Sequence, residues 1–259
     1  MPTWNAAQYL KFADQRSRPC RDLADRVEID APARVIDLGC GPGNSTVVLA
    51  ARWPDAKIIG LDSSADMIAA ARKSYPSGDW TVLDIHDWAG RNGATWDVVF
   101  SNAALQWVDD HATLYPSLMA RVTPGGALAV QVPCNYDAPA HLAMRELASS
   151  PRWMDRFPIG GVREWHVHHP AFYYDALSPH AARLDIWETE YLHIMPTASD
   201  IVEWYRGTGL RPFLEALSSK EERAQFSGEY LELISAAYRP RPDGRIIFPF
   251  RRLFIVAYR

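Results

Sequence analysis

The run Val35-Ile36-Asp37-Leu38-Gly39-Cys40-Gly41-Pro42-Gly43-Asn44-Ser45 constrains the fold more than any other feature of the chain. An apolar stretch over residues 33–38 passes directly into a turn with glycine at alternate positions. Glycine there permits a sharp turn and lets a ligand approach the backbone without meeting a Cβ, and the helix that follows offers its first N–H groups to an anion. The spacing is Gly-x-Gly-x-Gly, not the Gly-x-Gly-x-x-Gly of dinucleotide sites, which disfavours a pyrophosphate grip. Strand, glycine turn and helix in that order open a parallel α/β unit.

The same alternation continues. Residues 57–61 read as a second strand, and Ser63 and Asp66 have the spacing of a capping box for a helix that Pro76 ends. Residues 80–83, 96–101 and 127–132 read as strands three to five, the last after the turn Pro124-Gly125-Gly126. A helix over 111–122 carries Leu114, Leu118 and Val122 on one face. Five strands with helical connections predict a Rossmann-like, doubly wound α/β sheet. Beyond Pro133 the chain is rich in Trp, Tyr, His and Pro, with helices expected over 138–148, 172–177, 200–205 and 219–238, the last opening at Ser218 or Ser219. A sixth strand is expected over 183–194 and a seventh over 246–258, after the turn Asp243-Gly244. The helices between those two strands are expected to form a cap.

Composition excludes several classes of function. Across 259 residues, 48% hydrophobic content supplies a core, and 27 basic against 31 acidic residues leave a net charge of −4, which disfavours a phosphate-driven nucleic-acid binder. No run of 18 apolar residues suggests a membrane span, and charges at Lys11, Asp14, Arg16 and Arg18 precede any signal-like stretch, so a cytoplasmic protein is expected. Cys20, Cys40 and Cys134 are too scattered for a disulfide framework or a close-spaced zinc site. His166-Val167-His168-His169 lacks an accompanying carboxylate or cysteine, and no metal is expected. In the last strand, Arg251 and Arg252 alternate in and out and are read as a cap contact or solvated face.

Three strand ends carry the chemistry. Asp62 ends the second strand about 20 residues after the glycine turn, where a carboxylate can accept from both hydroxyls of a ribose. Asp84 ends the third strand, where its side chain can accept from an adenine amino group while the following N–H donates to the ring. The fourth strand delivers Ser101-Asn102-Ala103-Ala104-Leu105-Gln106-Trp107, small residues suited to a methionyl floor and then Gln106 and Trp107 toward a substrate.

In this order, Val-Ile-Asp-Leu-Gly-Cys-Gly-Pro-Gly, Leu61-Asp62, Leu83-Asp84-Ile85, Ser101-Asn102-Ala103 and Pro124-Gly125-Gly126 resemble the class I S-adenosylmethionine-dependent methyltransferases over residues 33–132. The resemblance implies a seven-stranded sheet with an antiparallel seventh strand. It also implies S-adenosylmethionine held by Asp37, Gly39, Gly41, Asn44, Asp62, Ser63, Met67, Asp84, Ile85, Asn102, Ala103 and Arg16. Residues 4–12 with Arg16, Arg18 and Pro19, residues 102–107, 204–214 and 248–254 resemble, within that family, enzymes that esterify a small unsaturated tricarboxylate. Gln106, Trp107, Tyr205, Arg206 and Tyr9 are then the substrate-facing residues. Gln106 stands where related carboxyl methyltransferases often have His, and no base role is assigned to it.

A carboxylate with a pKa of about 4 is already ionised at neutral pH, so ester formation needs placement and no catalytic base. Arginine suits the substrate's other carboxylates, and Arg16, Arg18, Arg206 and Arg211 are the candidates. Residues 1–28 are expected as a helical lid, 29–135 as the cofactor-binding core, and 136–259 as the cap with the last two strands. A small anionic substrate, no nucleic acid or membrane partner, and a monomer or weak homodimer are expected. Two other functions fit the same motifs: methylation of a malonyl-carrier-protein carboxylate, and non-catalytic regulation by cofactor binding.

Overall fold

In the computed structural model the described residues are 13–91, 93–157 and 165–259, the side chains of 13–16 apart. After helix α1 (Ala13–Arg26), β1 (Arg34–Leu38), α2 (Asn44–Arg52), β2 (Lys57–Asp62), α3 (Ala65–Ser74), β3 (Asp79–Val82), α4 (Ile85–Gly90) and β4 (Trp96–Asn102) alternate. There follow α5 (His111–Ala120), β5 (Val122–Pro133), α6 (Pro139–Ala148), α7 (Pro170–Leu177), β6 (Arg183–Met195), α8 (Ala198–Arg206), α9 (Arg211–Ala216), α10 (Lys220–Ala237) and β7 (Ile246–Tyr258). The seven strands form one sheet in the order β3-β2-β1-β4-β5-β7-β6. β1 to β5 pair in parallel, and β7 runs antiparallel to β5 from Ala127↔Tyr258 to Pro133↔Arg252. The expected sheet and its reversed seventh strand are both present.

The centre is apolar because a parallel strand covered on both faces must be. Val35, Leu38, Val98, Val99, Phe100, Leu128 and Val130 are fully buried. Two boundaries differ from the sequence reading. Pro124-Gly125-Gly126, expected as a turn before the fifth strand, lies inside it. The register passes from Trp96↔Val122 to Val98↔Ala127, so residues 123–126 bulge opposite Asp97, with Gly125 at φ +81°. The cap of α3 is Ser64 rather than Ser63: Asp62 Oδ1 accepts the Ser64 N–H at 2.8 Å, and Ser64 Oγ then accepts the Met67 N–H. Ser219 caps α10 by accepting from the Glu222 N–H. The six-residue helices α4 and α9 were not foreseen.

The chain divides into two interleaved compact units. The first takes the described chain up to Pro133, then Trp165–Thr189 and Arg252–Arg259; the second takes Cys134–Glu164 and Glu190–Arg251. In the second unit Trp204, Tyr205, Phe226, Tyr230 and Phe248 are fully buried, and the Tyr230 hydroxyl donates to Ala140 O on α6. Among the described residues no helix is long and apolar enough to cross a membrane.

Candidate active site

The three glycines after β1 do different work. All have positive φ, +71° at Gly39, +55° at Gly41 and +93° at Gly43. A Cβ on Gly39 would lie 2.2 Å from Ala104 Cβ, and one on Gly43 would lie 2.6 Å from the Trp80 ring. Gly39 therefore lets the loops after β1 and β4 meet, and Gly43 seats the turn over Trp80. A Cβ on Gly41 would meet nothing within 4 Å. That open side is where a ligand can lie against the backbone.

Asp62 stands beside Gly41. Its Oδ2 accepts the Gly41 N–H at 2.9 Å and its Oδ1 the Ser64 N–H at 2.8 Å. Burial raises its pKa and these two N–H groups oppose the rise. Each oxygen keeps acceptor capacity, so the carboxylate can still take two hydroxyl donors. Ser63 is exposed on the turn and Met67 is buried on α3, 5% exposed.

Asp84 is exposed and caps α4, its Oδ1 accepting the His86 N–H at 2.8 Å. Ile85 is buried, and its Cδ1 is 3.8 Å from where a Gly39 Cβ would be, which brings the end of β3 to the glycine turn. Asn44 begins α2 at the turn.

Asp37 is fully buried and accepts from Ser45 Oγ and Thr46 Oγ1, both at 2.6 Å, which fastens β1 to α2. Its Oδ1 has no partner. Asn102 lies on the same sheet face, since Asp37 pairs with Phe100 two residues earlier on β4, and its Oδ1 is also buried without a partner. Two unfilled acceptor oxygens fit a cationic donor such as an ammonium group. Desolvation pushes the Asp37 carboxyl up to about 6 from 3.8, with the two hydroxyls holding it down. A raised folded-state pKa means that the folded chain takes up the proton first, so stability from this group increases as pH falls from about 6 toward 4. Asp37→Asn is expected to stabilise the apo protein on the order of 2 kcal/mol at pH 7.5 and to gain little at pH 4.5, read as the difference from wild type in urea unfolding. An equal gain at both pH values rejects this assignment.

The loop after β4 is held from several sides. Ala103 has φ +55°, its N–H donates to Gln131 O, and its carbonyl accepts from Gln106 Nε2 at 2.7 Å. Gln106 is buried, 3% exposed, with its side-chain oxygen Oε1 unpartnered. The half-buried Trp107 ring packs on Trp165 with centroids 4.4 Å apart.

The remaining candidates are placed as follows. In the second unit, Tyr205 is 1% exposed and its hydroxyl oxygen lies 3.4 Å from Asn135 Nδ2. Arg206 is half-buried with Nε 2.9 Å from Glu203, and Arg211 Nε bonds Glu215 at 2.7 Å. Arg18 lies 3.9 Å from Asp22. Each of these arginines thus has a carboxylate of its own helix beside it. Tyr9 lies outside the described residues, as does the side chain of Arg16. Arg252, read as a surface or cap contact, is 4% exposed and donates to Gln131 Oε1 on β5, while Arg251 pairs with Asp137. No group of His, Cys, Asp and Glu suited to a metal occurs among the described residues.

A family model described as a methyltransferase domain matches residues 35–126. The chain is 51% identical over 260 residues to a protein of Azoarcus sp. (strain BH72) named trans-aconitate 2-methyltransferase, covering 100% of both. Proteins of that name from Rhodopseudomonas palustris (strain BisB18) and Yersinia pestis (strain Pestoides F) are 46% and 44% identical, covering 99% of this chain and 99% of the first, and 100% and 99% for the second. Among solved structures, the YcgJ protein of Bacillus subtilis superposes with a TM-score of 0.58 at 14% identity, covering 93% of this chain and 98% of that one. Geranyl diphosphate C-methyltransferase of Streptomyces coelicolor, solved with S-adenosyl-L-homocysteine, gives 0.54 at 13% identity, covering 96% and 81%.

Proposed function

The chain belongs to the trans-aconitate 2-methyltransferases, a family of class I S-adenosylmethionine-dependent enzymes, and from that premise we propose how its own residues divide the work. The protein is a carboxyl O-methyltransferase that uses S-adenosylmethionine to esterify trans-aconitate. When bound, the cofactor supplies an electrophilic methyl group on a sulfonium.

The observation that carries the site reading is the open side of Gly41 next to a carboxylate whose two oxygens each hold one backbone N–H. Asp62 accepts from the ribose hydroxyls. Asp84 and the backbone at Ile85 take the adenine edge, with the Ile85 side chain against the ring. Asp37 Oδ1 and Asn102 Oδ1 receive the ammonium end, and Gly39, Gly41, Asn44, Ser63, Met67 and Ala103 line the remainder. Arg16, near the start of α1, is assigned to the cofactor as well.

On the substrate side the residues place and neutralise. An ionised carboxylate is its own nucleophile, so no residue is assigned as a base. Gln106, Trp107, Tyr205 and Tyr9 are assigned to the substrate, and Arg206 to a carboxylate that does not react. Arg206 must exchange Glu203 for the substrate, an inexpensive exchange because half-exposed ion pairs are weak. Arg206→Ala is expected to raise the KM for trans-aconitate roughly tenfold while changing cofactor affinity less than about twofold. An unchanged KM removes Arg206 from the pocket.

The function is tested by methyl transfer to trans-aconitate, cis-aconitate, citrate, isocitrate and malonyl-carrier protein, with the ester identified by mass spectrometry. Turnover restricted to the aconitates is expected. Transfer to the carrier protein alone, weakened by salt, overturns the small-molecule assignment. Cofactor binding with no turnover on any acid overturns the enzyme reading. A cytoplasmic monomer or weak homodimer acting on a free metabolite completes the proposal.

A further inference from the structure

His111 is a buried titratable residue, 1% exposed at the start of α5, that the methyl transfer itself does not use. Its Nε2 lies 2.9 Å from Leu105 O, and its Nδ1 lies 2.9 Å from the Tyr173 hydroxyl on α7. A carbonyl can only accept, so Nε2 carries the proton. In a neutral ring Nδ1 is then an acceptor and receives the Tyr173 O–H. The Tyr173 oxygen in turn accepts the His168 N–H at 3.1 Å. Every proton in the row His168, Tyr173, His111, Leu105 is thereby accounted for, and the row fixes the tautomer.

This row ends on the loop that carries Gln106 and Trp107. The loop needs holding because Ala103 sits at φ +55°, a conformation that costs an L residue roughly 1–2 kcal/mol. Its successive carbonyls are taken by different parts of the first unit. Ala103 O accepts from Gln106 Nε2, Leu105 O from His111, and Gln106 O from the His166 N–H at 3.2 Å. Trp165, next to His166, packs on Trp107. His111 thus joins α7, through the Tyr173 hydroxyl, to the loop after β4, through Leu105 O.

We propose that His111 is a positioning residue for methyl transfer, a neutral clamp that sets the loop carrying Gln106 and Trp107 and releases it on protonation. The inference rests on the reading of that loop as the substrate face. A second proton at Nδ1 would point two N–H groups at the Tyr173 oxygen and turn the tyrosine hydrogen away from the ring toward the Tyr115 hydroxyl, which loosens the hold of Tyr173 on His111. Burial opposes such a charge most, the Leu105 and Val108 backbone favours it, and His168 and His166 from the segment before α7 oppose it; Tyr115 on α5 and Tyr173 on α7 pack on the ring. No carboxylate is hydrogen-bonded to it among the described residues, and Asp109 nearby in sequence is paired with His86 on α4 at 2.8 Å. Burial first, then His168 and His166, hold its pKa below that of an ordinary imidazole, so the clamp stays closed at neutral pH and opens only in acid.

The experiment measures kcat, KM for trans-aconitate and S-adenosylmethionine affinity from pH 5 to 8.5 in wild type, His111→Gln, His111→Phe and Tyr173→Phe. Glutamine can donate to Leu105 O and accept from Tyr173 but does not titrate in this range. His111→Gln is expected to keep kcat at pH 8 within about threefold and to lose the acid limb of kcat. His111→Phe is expected to lose roughly tenfold in kcat with cofactor affinity nearly unchanged. Tyr173→Phe removes the donor that keeps Nδ1 an acceptor, so the acid limb moves to higher pH. An acid limb identical in wild type and His111→Gln overturns the proposal, as does a wild-type kcat in His111→Phe. Turnover of wild type, measured first on the aconitates, tests the substrate reading separately. If His111→Phe does not fold, the comparison of wild type with His111→Gln still decides.

Discussion

Replacing Asp62 by alanine is expected to weaken S-adenosylmethionine binding at least roughly a hundredfold, since two hydrogen bonds to a charged, partly buried acceptor contribute about 1.5–3 kcal/mol each. Alanine also frees the Gly41 and Ser64 N–H groups that the carboxylate now holds, so the loop loses its brace together with its ligand contact. Asp62→Asn separates the two effects. It keeps the shape and one acceptor oxygen, and is expected to retain tenfold more affinity than the alanine variant. Titration calorimetry of the two variants gives the answer, with apo unfolding recorded beside it. Affinity within twofold of wild type in Asp62→Ala would sink the ribose assignment.

Gly39→Ala and Gly41→Ala are expected to fail in opposite ways although both residues belong to one motif. At Gly39 the added methyl meets Ala104 Cβ at 2.2 Å, and φ +71° adds its own penalty. The loops after β1 and β4 must separate, and a loss of roughly 3 kcal/mol or more in folding stability follows. At Gly41 the methyl enters open space, and only φ +55° costs anything, roughly 1–2 kcal/mol. The methyl there occupies the surface against which the cofactor is proposed to lie, so affinity falls more than stability does. Urea midpoints and cofactor titration on the two variants test the contrast. If Gly39→Ala is as stable as Gly41→Ala, the close approach of the two loops is wrong.

What could be read in advance was what local chemistry determines. The glycine turn, β1, β2 and the terminal β7 carry their cause within a dozen residues, as runs of apolar side chains bounded by turn residues. The start of β5 was misplaced because Pro124-Gly125-Gly126 suits a turn and a bulge equally, and the register opposite Asp97 is set by another strand. Ser63 and Ser64 are equivalent caps on paper, and the Asp62 carboxylate selects the second. Six residues, as in α4 and α9, are too few for a helical period to stand out. At the site, the place of Asp62 at the end of β2 was legible from position alone but its doubly bonded state was not, and Asp84, expected to end the third strand, lies two residues beyond β3 as the cap of α4. His111 left no trace in the sequence, since Tyr173 lies far along the chain from it. Arg252 looked solvated because its partner Gln131 belongs to another strand.

The interleaving of the two units sets a timetable for synthesis. β5 lies between β4 and β7, and its partner residues 252–258 follow the whole of the second unit in the chain. At translation speeds of 5–20 residues per second, a nascent β5 waits on the order of ten seconds before the ribosome delivers the strand that covers its edge. Through that interval an apolar strand displays a free row of N–H and C=O groups, the arrangement most inviting to pairing with another chain. The β5 edge is therefore where a chaperone would have most to protect, and a slower-translated message would lengthen the hazard without changing one residue of the folded enzyme.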